Sequence, residues 1–556
     1  MLVSESVFLK NSTFIISYKS YKHFSGELIM TKSKSMSAFY ENICFYIILL
    51  LFLSFIFISQ PFMKIPFDIW EHLMRITSIY DTDACFLFWP EDTGMSMYFW
   101  HWIWAKIFIV LNIPDIFVWA KIIHVTQFLI AALTMYHFSK TVFQFLSIEH
   151  RELTIKFLAL SSTLLWFLGN GTISIYQQAW INWYSVTYQG ISIPLLWYIL
   201  ALTIRLLYEE SLGITKKSFY LIQIALASFL ILMIHPTEFV YYVINLFVLF
   251  AVHIRRSLQY IRKNLVSLSV MILCLVILFI QIIQNGWLPL PAILHGLKIN
   301  ALFKDIQEIG HWVTQGGGNR IPYAISELTI FSMICAVLFR IRLFFFRNGT
   351  DRKLYDFLLV SSALFLFIPL NGFLAGIAGI TTHKDIVWRF FFGSAWFLFL
   401  PFIIDRVVIF TMKKEGILYS FTINIAVIVI FFFLSRIIFY QSFYLNVNSI
   451  IQLTDPHKVG LQYSQDDIEK LARIIRQNDA PADGMINMFY IRGDMAPILR
   501  TVLRKYVYAD RRYLWPKATF FEKGLNKKYR LIDIDLPADF PKNEEIFRYF
   551  NLEKKP

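Results

Sequence analysis

Charged side chains are scarce in this chain. They make up 16% of its 556 residues, whereas hydrophobic residues make up 57% and phenylalanine alone occurs 56 times. A typical soluble domain carries about 25% charged residues, so the composition excludes an ordinary soluble protein. We therefore expect an integral membrane protein.

Cysteine is also rare. The four cysteines, Cys44, Cys85, Cys274 and Cys335, are scattered along the chain, and all except Cys85 fall within apolar runs. This spacing excludes a disulfide framework and a cysteine-based zinc site.

Long apolar runs are what the chain has instead. A helix needs about 20 apolar residues to cross a bilayer, and runs close to that length recur along most of the sequence. We predict a mainly α fold, a polytopic transmembrane helical bundle of about eleven spans. The expected spans are 42–59, 116–137, 157–169, 191–207, 219–234, 239–254, 266–283, 325–343, 358–369, 386–404 and 417–439.

Basic residues are concentrated in alternate loops, at 140–156, 205–217, 255–263, 340–353 and 406–414. The positive-inside rule predicts that these loops and the N-terminus are cytoplasmic and that the C-terminal region lies outside. The formal net charge of +14 then reflects membrane topology and not a nucleic-acid footprint.

The composition predicts three parts. Residues 1–36 form an N-terminal cytoplasmic tail that resembles neither a cleavable signal peptide nor a domain, with Met30 and Met36 as alternative starts. Residues 37–440 form the membrane module, with long outer loops at 60–115 and 285–323. Residues 441–556 form a small external α/β domain, with helices predicted at 466–477 and 496–506 and strands at 485–491 and 529–536.

The first outer loop opens with PFDIWEHLMRI, residues 66–76. Asp68, Glu71, His72 and Arg75 are spaced so that they share one face of a helix. Either this face brings catalytic groups together, or the segment is an amphipathic helix that lies among the lipid headgroups with its charges solvated. The sequence leaves both interpretations open.

Two further outer segments are rich in aromatic residues. Segment 97–111 is apolar, yet His101, Lys106 and its tryptophans favour a helix at the membrane interface over a span. Segment 170–190 combines Trp and Tyr with Asn and Gln, which is more typical of an interfacial belt than of a sugar-stacking platform. In the outer loop 285–323, the GGGNR stretch at 316–320 is either a linker or a segment ordered by substrate.

A first span is followed by an outer loop that opens with an acidic residue on a short helix, then by interface helices and many further spans. This order of elements resembles the GT-C superfamily of polytopic membrane glycosyltransferases, of the bacterial type. Members use polyprenyl-phosphate-linked sugars on the outer side of a membrane. The resemblance rests on FDIWEH at 67–72, on the segment 97–140, on HPTEFVYYVINLF at 235–247 and on the tail segment 471–500.

The resemblance implies that Asp68 is the catalytic base, with Glu71 as the nearest substitute. A carboxylate in this role takes the proton of the acceptor hydroxyl. Family members often show two adjacent acids, whereas Ile69 and Trp70 separate these two, so the choice between them stays open.

Transfer also requires cationic groups or a metal to hold the departing phosphate. Arg389 is favoured because an arginine at the end of a span is costly unless it meets an anion; the alternatives are snorkelling to headgroups or a pair with Asp385. The HPT turn has two possible explanations. Its proline and a helix-capping Thr237 would account for it structurally, and a role in substrate binding would account for it functionally. The full set of substrate or phosphate candidates is His72, Arg75, His235, Glu238, His311, Arg320, His383, Lys384 and Arg389.

No cofactor is required by these patterns. Asp81 and Asp83 form a DxD that some glycosyltransferases use for a divalent cation, Mg²⁺ or Mn²⁺, but such pairs also arise by chance. Metal dependence is left open.

The leading hypothesis is an inverting glycosyltransferase of the bacterial inner membrane. It would use a polyprenyl phosphate-linked sugar donor and an envelope glycan, lipid or protein acceptor on the periplasmic side, in contact with membrane lipids and not nucleic acid. A lipid-linked glycan polymerase or ligase is an alternative that would use His311 and Arg320. A polar-lipid flippase or transporter is another, although the internal repeats and mid-span charges that it predicts are not evident.

Overall fold

The computed structural model describes the chain in segments. These are 72–73, 75–77, 79–80, 96–114, 116–146, 152–169, 186–209, 212–265, 299–315, 327–345, 351–382 and 384–412, a few residues between 269 and 280, residue 473, and three strands within 486–533.

Helices dominate these segments, which confirms the mainly α membrane fold. They are α1 (Ser96–Val110), α2 (Ile116–Leu146), α3 (Glu152–Gly169), α4 (Gln189–Tyr208), α5 (Ile214–Ile234), α6 (Pro236–Val252), α7 (Ile254–Lys263), α8 (Ile299–Gln315), α9 (Glu327–Phe345), α10 (Arg352–Phe367), α11 (Gly372–Thr381) and α12 (Phe399–Met412). Among the described residues, five helical segments are long and apolar enough to cross a membrane, or six if the bent pair α6 and α7 is one span. The predicted spans 42–59 and 417–439 lie outside the described residues, so the total of about eleven stays a prediction.

The loops predicted to be cytoplasmic meet at one end of the bundle. The backbone N–H of Asp351 donates to the carbonyl of Leu146 at 2.9 Å. The hydroxyl of Tyr208 donates to Asp351 Oδ1 at 3.4 Å and also hydrogen-bonds to His253 Nε2. We call this the inner end, defined by Leu146, Tyr208, His253 and Asp351. These contacts confirm that the loops at 140–156, 205–217, 255–263 and 340–353 share one end of the bundle. That the loop at 406–414 joins them, and that this end is cytoplasmic, stay predictions.

The chain turns sharply at the inner end, between α6 and α7. Helices α6 and α7 are bent by 104° at His253. Arg256, on the basic helix α7, stacks over the Tyr208 ring with 4.6 Å from its Cζ to the ring centroid. A basic amphipathic helix at this angle to a span is suited to lie along the membrane surface.

The predicted span 386–404 is not one continuous α-helix. Residues Lys384–Gly393 and Trp396–Leu398 form 3₁₀-helices, and α12 begins only at Phe399. This segment packs closely on α10, because a Cβ added to Gly393 would lie 2.5 Å from Phe365 Cε1. The Ser362 hydroxyl also accepts the backbone N–H of Ala395 at 3.0 Å. Such contacts replace the regular α-helical pattern that hydrophobicity alone predicts.

The predicted outer loop 285–323 contains a helix, α8, that the sequence analysis did not expect. It packs against α11 at a glycine contact, since a Cβ on Gly310 would lie 1.9 Å from the carbonyl oxygen of Gly372. Glycine permits this close approach of two backbones, so α8 joins the bundle. The GGGNR stretch that follows lies outside the described residues.

Helix α1 is short and apolar, and its placement at the membrane interface stays a prediction. Its 15 residues rise only about 22 Å, short of the roughly 30 Å hydrocarbon core. It ends in a turn at Asn112, which has a φ of 51°.

The tail contains a parallel three-stranded sheet in the order β2-β1-β3. Its strands are β1 (Ile486–Tyr490), β2 (Tyr506–Tyr508) and β3 (Tyr529–Asp533). The strands predicted near 485–491 and 529–536 are confirmed. Tyr506, predicted to end a helix, begins β2 instead, as suits the β-favouring sequence Tyr-Val-Tyr. The limits of the three predicted parts of the chain are not tested by these segments and stay predictions.

Candidate active site

His72 is buried at the start of the segment that follows the first predicted span. The described residues between 72 and 80 are helical, and Leu73, Ile76 and Ile79 are buried with it. The Nδ1 atom of His72 lies 2.7 Å from Nε2 of His101 on α1, and the two rings are stacked with centroids 5.0 Å apart. A solvated headgroup helix does not account for a histidine that is only 7% exposed.

Tyr188 connects this pair to a second histidine. Its ring meets His72 edge-on at 4.9 Å between centroids and stacks on His235 at 4.7 Å. Tyr188 directly precedes α4, so the end of the aromatic segment 170–190 contributes to the site. We call His72, His101, Tyr188, His235 and Glu238 the histidine cluster.

The HPTE turn supplies the last two members. His235 is the N-cap of α6 in an extended conformation, with Pro236 in the first turn. Its Nδ1 hydrogen-bonds to the Glu238 carboxylate, and both residues are buried. Thr237 is not the cap that the sequence suggested, because Pro236 already occupies the first helical position and Thr237 lies inside the helix.

Two arginines make the surroundings of His72 electropositive. Burial is the main cause that lowers the pKa of His72 well below its usual value near 6.5, and the positive charges of Arg75 and Arg389, with His235, lower it further. His72 is therefore neutral at pH 7. Arg389 is half-buried, and its Cζ lies 5.4 Å from the centroid of the Trp388 ring.

A buried amide holds the elements around the cluster together. The indole N–H of Trp100 donates to Gln127 Oε1 at 3.3 Å, and Gln127 Nε2 donates to the carbonyl of Thr187 at 3.2 Å. Gln127 on α2 thereby joins α1 to the residue that precedes Tyr188. A change at Gln127 would therefore disturb two members of the cluster together.

The structure brings together five of the predicted site residues: His72, Arg75, His235, Glu238 and Arg389. His311 is exposed on α8, and the backbone of Lys384 lies in the 3₁₀-helix that carries Arg389. The remaining candidates lie outside the described residues: Asp68, Glu71, Asp81, Asp83, Arg320 and His383.

Sequence reasoning missed three residues of this site: His101, Tyr188 and Gln127. His101 served only as evidence for an interface helix, and Tyr188 was assigned to an aromatic belt. A histidine within a tryptophan-rich helix was the one available signal, because an imidazole in such a place needs a polar partner.

Among the described residues, no group of three or more His, Cys, Asp or Glu is arranged to hold a metal ion. The histidine cluster offers imidazoles already hydrogen-bonded to each other and to Glu238.

No protein-family model and no curated protein sequence matches the chain. Among solved structures, it is similar to the Archaeoglobus fulgidus oligosaccharyltransferase AglB, in complex with an inhibitory peptide and a dolichol-phosphate, at 11% identity and a TM-score of 0.48, covering 84% of this chain and 64% of that one. A second structure of this enzyme, tethered with an acceptor peptide, gives 10% identity and a TM-score of 0.49, again covering 84% and 64%. The chain thus spans a little under two thirds of the archaeal protein.

It is also similar to ArnT from Cupriavidus metallidurans bound to undecaprenyl phosphate, at 9% identity and a TM-score of 0.46, covering 87% of this chain and 89% of that one. All three TM-scores lie below 0.5.

Proposed function

We propose that this chain is an integral membrane glycosyltransferase. It transfers a sugar from a polyprenyl phosphate carrier to a glycan, lipid or protein acceptor of the bacterial envelope, on the periplasmic side of the inner membrane. The observation that carries the proposal is the buried, neutral His72 close to the positive charges of Arg75 and Arg389.

Positive charges in this arrangement suit an anionic leaving group. The acceptor hydroxyl attacks the anomeric carbon of the donor sugar, and the bond from that carbon to the phosphate oxygen breaks with its electron pair. Polyprenyl phosphate then leaves with added negative charge, which Arg75 and Arg389 stabilise. Attack opposite the leaving phosphate inverts the anomeric configuration.

The base in this proposal is Asp68, with Glu71 as its substitute. These carboxylates precede His72 by four residues and by one residue in the chain. The base accepts the proton of the acceptor hydroxyl as the new glycosidic bond forms. The imidazoles of the cluster and the Tyr188 hydroxyl suit hydrogen bonds to sugar hydroxyls, and the rings of the cluster exclude water.

The test is a transfer assay with purified protein in lipid nanodiscs, a radiolabelled polyprenyl phosphate sugar and envelope extract as acceptor. We expect labelled acceptor from the parent and a loss of about 10²- to 10⁴-fold in Asp68→Asn, the range of general-base contributions. Asp305→Asn, on the exposed face of α8, is the matched control and retains activity.

Full turnover in Asp68→Asn would remove the base assignment. A parent protein that moves the labelled lipid between leaflets in proteoliposomes without forming product would replace the transferase proposal with a flippase.

A further inference from the structure

A second cationic site lies at the inner end, between α2, α4 and α5. Arg205 on α4 reaches both neighbouring helices. Its Nε donates to Thr141 Oγ1 at 3.1 Å, one terminal nitrogen donates to Gln144 Oε1 at 3.3 Å, and the other donates to the Tyr220 hydroxyl at 3.5 Å.

The charge of Arg205 is not neutralised by these contacts. Among the described residues, the hydrogen-bond acceptors around this half-buried guanidinium are all neutral. The nearby acids are engaged elsewhere, since Glu152 pairs with Lys140 and Lys156 at 3.5 Å and Glu209 pairs with Lys216 at 3.1 Å. A half-buried arginine beside neutral acceptors favours an anion at the site.

Further polar groups surround the same place. His137 on α2 is close enough to Arg205 and Lys140 for both charges to act on it. Its ring lies 5.8 Å from that of Tyr198, and its Nε2 is buried with no hydrogen-bond partner among the described residues. An anionic oxygen would satisfy this nitrogen and the arginine together.

The neighbouring surface is apolar and exposed. Leu133 lies one helical turn before His137 on α2, and Ile222 and Leu226 follow Tyr220 on α5; their exposed fractions are 68%, 56% and 60%. In a membrane protein these side chains face acyl chains. A molecule with an anionic head and apolar tails therefore fits the site better than a free ion.

We propose that Arg205, Lys140 and His137 bind the phosphate of an anionic phospholipid in the leaflet at the inner end. This site is separate from the histidine cluster, because α4 carries Arg205 in its last turn and follows Tyr188 at its first. It does not depend on the proposed enzymatic function.

The test is native mass spectrometry of the purified full chain, titrated with phosphatidylglycerol or with phosphatidylcholine of the same acyl chains. We expect the parent to retain phosphatidylglycerol preferentially. Arg205→Gln should raise its apparent Kd about tenfold, the effect of losing about 1.4 kcal/mol of charge-assisted hydrogen bonding. Equal retention of the two lipids by the parent would overturn the proposal.

Lys217→Gln is the matched control, since Lys217 is a half-buried lysine in the first turn of α5 near the same end, and its Kd should stay within about twofold of the parent's. Thermal unfolding of each variant checks its folding. If Arg205→Gln does not fold, Lys140→Gln replaces it, with an expected rise in Kd of about threefold.

A final experiment distinguishes a phospholipid headgroup from a free phosphate ion as the ligand of this site. Inorganic phosphate is added in excess to the protein loaded with phosphatidylglycerol, and we expect the lipid to remain bound. Displacement of the lipid by inorganic phosphate alone would show a free-anion site and would overturn the assignment to a phospholipid.

Discussion

The buried imidazoles of His72 and His101 share one hydrogen across the 2.7 Å between Nδ1 and Nε2. Since one ring donates and the other accepts, the contact couples the tautomer of His72 to that of His101. The pair joins the segment after the first predicted span to α1. His101 on α1 thus positions a residue of the proposed active site.

We predict that His101→Phe lowers both stability and transfer activity. Phenylalanine keeps the ring packing but leaves Nδ1 of His72 without this partner, which costs about 1–3 kcal/mol of unfolding free energy. Thermal unfolding in detergent and kcat in the transfer assay measure the two effects. Gln307→Phe, on an exposed position of α8, serves as the control and should change neither. Unchanged kcat in His101→Phe would remove its positioning role.

The lowered pKa of His72 predicts a stability that falls in acid. The unfolded chain binds a proton at His72 below about pH 6.5, whereas the folded chain resists it until the much lower folded pKa, so folding loses up to about 1.4 kcal/mol per pH unit in between. Thermal unfolding of the parent and of His72→Gln from pH 7.5 to pH 5 measures this. The melting temperature of the variant should fall less steeply; parallel curves would contradict a neutral His72.

Arg389 is expected to act on the phosphate of the donor. Arg389→Gln should raise the KM for the lipid-linked sugar about tenfold or more and lower kcat, because a charge-assisted contact to the leaving group is lost. Arg389→Lys should recover part of the loss. Arg255→Gln, an exposed arginine at the inner end, is the control. A donor KM that is the same in Arg389→Gln and the parent would leave Arg389 with a structural role.

The contact between α8 and α11 predicts a large difference between two glycine substitutions. Gly310→Ala places a methyl group against the backbone of Gly372 and should destabilise the protein by about 1–3 kcal/mol as the helices separate. Gly213→Ala is the control, because no atom lies within 4 Å of its added Cβ. Thermal unfolding compares them. Equal melting temperatures would show that α8 packs less tightly than described.

Helical spacing placed His72 and Arg75 on one face but did not identify their contacts with other parts of the chain. The shared face of His72 and Arg75 and the HPTE turn were readable because helical spacing is local. The contacts of His72 with His101 and Tyr188 join residues 29 and more positions apart in the chain, and no local pattern encodes such contacts. Asp68 and Glu71, outside the described residues, remain predictions as catalytic carboxylates.

The fold, like the site, could be predicted from the sequence only in part. Hydrophobic runs predicted the long helices, since membrane spans need only apolar length. The hydrophobic runs did not predict the 3₁₀-helices within 384–398 or helix α8, where glycine contacts and bulky aromatic packing determine the backbone conformation. These contacts depend on which helices become neighbours, and hydrophobicity does not specify that.

Helix α6 connects the histidine cluster to the inner end, because His235 lies at its start and His253 just after its last residue. Its 17 residues rise about 25 Å, which is most of a bilayer's hydrocarbon thickness. A sugar attached to its carrier at the inner surface would therefore need to be turned over before the histidine cluster could use it. In a cell, the rate of that delivery would set the supply to this protein, however fast its own chemistry.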